Sequence, residues 1–196
     1  MTENSSDRAI ATCEFVARGK DIWIRARINA FAHKVTAERA AMLAHVISLL
    51  ETLFIVIPIA CVGISLFVVT DSTLTQMWPR RVYQELAVAS IIGNAAALFL
   101  QLVNSHFGWS GQARQHNHLL ASYQLIAQKA RRLENRLLPS DEAIHLCRHL
   151  EESFEIYKAT GIEPSDSAFV RARELFLKMP ILPFEIRRED LGVLKP

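Results

Sequence analysis

The chain has 196 residues, with 22 Lys and Arg against 20 Asp and Glu, a formal charge of +2, and three cysteines. So near-balanced a total lacks the concentrated basic surface that phosphate backbones require, which argues against direct nucleic-acid binding. Cys13, Cys61 and Cys147 are odd in number and widely spaced, and one lies inside an apolar run. That pattern fits neither a disulfide framework nor a zinc site, and it implies a reducing compartment.

Residues 1–45 form the first arm; its first forty residues are charged and contain no early apolar core followed by a small-residue cleavage site, so they do not read as a removable signal peptide. Ile24, Ile28, Phe31, Val35 and Met42 recur there at helical spacing, with Arg25, Arg27, Lys34 and Arg39 between them. This describes an amphipathic helical arm, able to run straight into the next element, whose stripe serves packing or the lipid interface.

Residues 46–109 carry the strongest signal. The run TLFIVIPIACVGISLFVVT, over 52–70, has no charge, and at ~1.5 Å per residue a helix of this length spans the ~30 Å hydrocarbon core of a bilayer. A second uncharged run, LAVASIIGNAAALFLQLVNSHFGW, follows from Leu86. The expected elements are a first span at about 50–70, a loop over 71–85 with Trp78, Pro79 and Tyr83 at headgroup level, and a second span over 86–108. Trp109 and Phe107 mark the opposite interface.

Lys and Arg number seven in the first arm and thirteen after Trp109, against Arg80 and Arg81 in the loop, so both termini are expected in the cytoplasm. In the first span, Pro58 frees the carbonyl of Phe54 and is a candidate hinge, and Glu51 at the expected cytoplasmic end is a candidate gate charge, or else solvated or paired. In the second span, Ser90, Asn94, Ala97, Gln101, Asn104, Ser105 and Gly108 fall within roughly a third of the helix circumference. Amides facing hydrocarbon have nothing to satisfy their hydrogen bonds, so this stripe must meet another helix or water. Holding an oligomer together and lining a water-filled path both satisfy that demand. Ala89, Gly93 and Ala97 border the stripe as a small-xxx-small series suited to close helix packing.

Residues 110–138 read as a membrane-proximal helix whose seam, Leu119, Tyr123, Ile126, Ala130, Leu133 and Leu137, has the alternating spacing of a coiled coil and should pair with the first arm. In residues 139–196, Pro139 stops that helix and Ser140, Asp141 and Glu142 begin another, with Ile144, Cys147, Leu150, Phe154 and Tyr157 on one side and Gly161 at its end. A short helix follows over about 165–178, and Pro180 and Pro183 then break regularity. His145 and His149 at i,i+4 have a metal-compatible spacing but no further ligands, and His116 and His118 point to different helix faces. There is no phosphate loop, nucleophile elbow, HExxH or TVGYG motif, so no catalytic, cofactor or metal residue is assigned and the chain does not read as an enzyme.

The fold class expected is thus an all-α membrane protein: a two-helix transmembrane hairpin flanked by cytoplasmic amphipathic helices that pack as a small bundle. This order, with HFGWSGQARQHNHLLASYQLIAQKARRLE over 106–134 and RINAFAHKVTAERA before the first span, resembles the SLATT family of two-transmembrane effectors. The likeness covers roughly residues 21–138. It implies a homo-oligomeric pore-forming or membrane-disrupting effector of a prokaryotic antiviral, abortive-infection system in the inner membrane. The implied trigger is a nucleotide signal or a partner protein from the same locus: a nucleotidyltransferase, a nucleotide sensor or a reverse transcriptase. The alternative reading is a non-conducting anchor that holds the cytoplasmic helices at the bilayer and recruits a soluble partner.

Overall fold

A computed structural model of the chain describes residues 3–70, 80–134 and 140–179. The element order is α1 (Glu3–Thr70), α2 (Arg80–Phe107), α3 (Trp109–Ala130), a 3-10 turn (Arg131–Glu134), α4 (Ser140–Thr160) and α5 (Asp166–Leu177). Among the described residues there is no strand, so the all-helical expectation holds.

The expected arm and first span are a single helix, since α1 continues through Pro58 without interruption. The expected loop over 71–85 is shorter, because α2 already begins at Arg80 and Tyr83 is helical. Trp78, Pro79, Leu137, Pro139, Pro180 and Pro183 lie outside the described residues. Gly108 separates α2 from α3. Its φ of 56° is a left-handed conformation that side-chain-bearing residues rarely adopt, and its N–H donates to the Asn104 carbonyl at 2.9 Å, closing the last turn of α2. The helix expected over 110–138 is α-helical only as far as Ala130 and tightens to 3-10 over Arg131–Glu134, and the rest of that range lies outside the described residues. α4 ends where expected, with the Gly161 N–H donating to the Tyr157 carbonyl at 3.0 Å. Ser165 precedes α5 in extended conformation, and its carbonyl accepts from the Ala168 and Phe169 N–H groups at 2.8 and 3.1 Å.

The chain divides into two units, Met1–Arg39 with Gln112–Pro196, and Ala40–Gly111. α1 contributes to both. In the first unit the core is drawn from four helices: Ile22, Trp23, Ile24 and Ile28 of α1, the α3 seam, Cys147, Leu150 and Phe154 of α4, and Ala172 and Phe176 of α5. The α1 arm is not the one-sided stripe that its isoleucines suggest. Ile22, Trp23, Ile24, Ala26 and Ile28 are all buried and, at about 100° per residue, surround the helix axis. Arg25 and Arg27 fit among them because their stems pack inward while the guanidinium groups reach outward over aromatic rings. Arg25 lies 5.9 Å from the Phe154 centroid and pairs with Asp21, and Arg27 lies 5.1 Å from the Phe31 centroid. α3 runs antiparallel to this arm, with Gly19 against Ala130 and Leu133 and His33 against His116. α5 closes the unit through Phe176, fully buried with its ring 5.6 Å from that of Trp23.

The second unit buries little. In the most apolar stretches of α1 and α2 only 6 % and 17 % of residues are buried, and both helices are long and apolar enough to cross a membrane. Leu53, Val56, Ile59, Leu66, Ile91, Leu98, Phe99 and Leu102 are all exposed.

Candidate functional site

α1 and α2 of the second unit meet along a narrow contact of small residues. Ser90, Gly93 and Ala97 are its buried positions on α2, and fully buried Pro58 is its centre on α1. Gly93 permits the approach: a Cβ there would lie 2.5 Å from Pro58 Cγ and 3.5 Å from the Phe54 carbonyl oxygen. The carbonyl that Pro58 leaves without its helical donor therefore faces the one α2 residue with no side chain. Ala89 is exposed, and Ser90 occupies the contact instead, since i, i+3 and i+7 share a face more closely than the i, i+4, i+8 series.

Beside this contact lies a groove of ≈ 360 Å³ lined by Glu51, Ile55, Asn94, Ala97, Leu98 and Gln101. Asn94 and Gln101 are exposed along it, and Oε1 of half-buried Glu51 is shut off without a hydrogen-bond partner. The groove joins Glu51 to the amide stripe, a grouping that the two apolar runs do not disclose separately. Ser105 is exposed and Asn104 half-buried. The stripe is thus divided. Ser90 and Ala97 face α1 of the same chain, whereas Asn94, Gln101 and Ser105 present hydrogen-bonding groups outward among exposed Leu98 and Leu102.

In the first unit the seam residues Leu119, Tyr123, Ile126, Ala130 and Leu133 are buried against the other helices. The seam begins one position earlier, at His116. His33 and His116 are each 2 % exposed, and their Nδ1 atoms are 2.8 Å apart, so one ring donates its N–H to the bare nitrogen of the other. The Tyr123 ring stacks on His33 with centroids 5.4 Å apart. Burial, then the neighbouring His116, lowers the His33 pKa to about 4, and burial lowers that of His116. Burial first, then Glu155 and Glu163, pushes Tyr123 up to about 12. His33 and Tyr123 line a cavity of ≈ 440 Å³ bordered by Arg25, Lys158 and Arg173 and by Glu155 and Glu163.

Sequence reasoning did not single out His33, although a signal was present: it continues the buried series Ala26, Ala30, Ala37 at helical spacing. His116 likewise precedes Leu119 and Tyr123 in the same alternation of threes and fours. His145 and His149 are exposed while Cys147 between them is buried, and among the described residues no group of three metal-ligating side chains exists. Burial raises the Cys147 thiol pKa, which keeps it protonated. In comparisons with protein-family models, curated proteins and solved structures, nothing matches the chain.

Proposed function

We propose that the chain is an integral membrane protein of the SLATT type, whose α1 and α2 form a two-span hairpin and whose protomers assemble through α2 into a pore or membrane lesion. The observation that carries this reading is the outward-facing amide pair, Asn94 and Gln101, in the uncharged middle of α2 among exposed Ile91, Ile92, Leu98, Phe99 and Leu102. In hydrocarbon an unpaired amide costs several kcal/mol, roughly 4–8 by transfer to an alkane, so two per protomer favour assembly with the stripe turned inward. Two spans enclose no channel, so conduction requires several copies. The remaining helices form a cytoplasmic bundle with both termini inside, in keeping with the seven and thirteen basic residues flanking a hairpin that carries two.

The biological setting implied by the resemblance is an abortive-infection effector in a prokaryotic inner membrane, triggered by a nucleotide signal or by a partner protein. The trigger changes the cytoplasmic helices, and the hairpins rotate or cluster until water enters. Expression with and without the neighbouring genes, followed with a membrane-potential dye, tests this. Depolarisation under the triggering condition is expected, and its loss on replacing Asn94 and Gln101 with Leu. Unchanged potential and growth under that condition would remove the pore.

A second reading, a non-conducting anchor that recruits a soluble partner, is favoured by the ≈ 440 Å³ cavity of the first unit. An anchor retains localisation and recruitment in the Leu variants, because hydrophobic spans still insert.

A further inference from the structure

We infer that the pathway is selective for small hard cations and that Glu51 is the residue that selects them; this rests on the pore reading and adds its substrate class.

Taken by itself, the uncharged run after Glu51 puts that carboxylate at the edge of a span, where water solvates it. The packing of the hairpin puts it elsewhere. Glu51 shares its groove with Asn94 and Gln101, which bracket the midpoint of the uncharged part of α2, residues 86–107. Seven residues before Pro58, Glu51 is level with about residue 100 of α2, inside the second span, with about 14 residues or ~21 Å of uncharged α2 on one side and about 7 or ~10 Å on the other. The Gly93–Pro58 contact fixes this register, because the ring sits where a Cβ at Gly93 would be, 2.5 Å from Pro58 Cγ.

No placement of the bilayer avoids the conflict cheaply. If the hydrocarbon begins after Glu51, Glu85 and Arg81 fall inside it at the other end. Both are strongly exposed, and their mutual ion pair at 3.2 Å faces outward. A carboxylate enclosed in a groove lined by two amides is the less costly occupant, since polar groups in membranes persist where they face protein or a water-filled path.

Charge then decides the ion. Among the described residues, Glu51 is the sole ionisable one lining the groove, and no Lys or Arg lines it. One carboxylate oxygen, Oε1, has no donor among the described residues, and Asn94 and Gln101 can turn carbonyl oxygens toward the same space. Oxygen-only ligands carrying net negative charge suit hard cations. In an assembly, one Glu51 per protomer forms a ring of carboxylates within the span, an arrangement that admits cations and repels anions.

The test uses the full chain reconstituted in planar bilayers under a KCl gradient. The wild type is expected to reverse near the potassium equilibrium potential. Glu51→Gln should lower the K⁺ to Cl⁻ permeability ratio roughly tenfold or more, and Glu51→Lys should invert it. Glu51→Asp should keep it, and controls for folding by preserving the charge. Conductance without cation preference in the wild type overturns the inference and leaves the pore reading standing. Unaltered selectivity in Glu51→Gln, together with weakened oligomerisation, also overturns it by assigning the carboxylate to protomer contacts. Absence of conductance under the triggering condition removes the pore reading and this inference together.

Discussion

The buried His33–His116 pair makes the helical unit acid-sensitive in a calculable way. Both rings have folded-state pKa values below that of an unfolded histidine, so below pH 6.5 the unfolded chain binds more protons than the folded one. Stability is therefore fully present above that pH and is lost as the pH falls toward the folded value. With His33 lowered to about 4, its contribution falls by about 2 kcal/mol between pH 7.5 and pH 5, and His116 adds in the same direction. For a unit of this size that is a drop in melting temperature of roughly 8 °C. The assay is the thermal midpoint in detergent, followed by Trp23 emission in a background with Trp78→Phe and Trp109→Phe. His33→Gln keeps a hydrogen-bonding partner for His116 but does not titrate, so it should flatten much of the pH slope. A midpoint flat from pH 7.5 to pH 5, or an unchanged slope in His33→Gln, refutes the reasoning.

Phe176→Ala, which empties a fully buried site against Trp23, is expected to cost about 3–5 kcal/mol in the same unfolding assay, whereas Leu177→Ala, at an exposed neighbouring position, should stay within about 0.5 kcal/mol. Gly93→Ala drives a methyl into the Pro58 ring, and overpacking of about 1–3 kcal/mol should outweigh the roughly 1 kcal/mol gained in helix propensity. Pro58→Ala combined with it should recover most of that loss. Additive losses in the double variant, read from denaturation followed by circular dichroism, would mean that the two residues do not bear on each other.

Much of the helical plan was legible in the sequence because its signals are local. Charge-free runs, the α4 start at Ser140 with Asp141 and Glu142, and the stop at Gly161 each declare themselves within a few residues. What stayed hidden depends on pairing. The arm of α1 looks one-sided when only its large aliphatics are counted, yet Trp23, Ala26 and Ala30 show a helix enclosed on several sides. His33 is an ordinary polar residue until α3 brings His116 to 2.8 Å. Glu51 is a terminal charge in one dimension, and it moves to the level of Asn94 and Gln101 only once Gly93 has found Pro58. The left-handed break at Gly108 is likewise a property of the backbone between two helices, not of either helix alone.

The account stands on α1 and α2 of the second unit having lipid as their solvent. Membranes from cells expressing the full chain, washed in alkaline carbonate, measure this most directly. The chain should remain in the pellet and enter solution only with detergent. Recovery in the carbonate supernatant as a monodisperse species would contradict it.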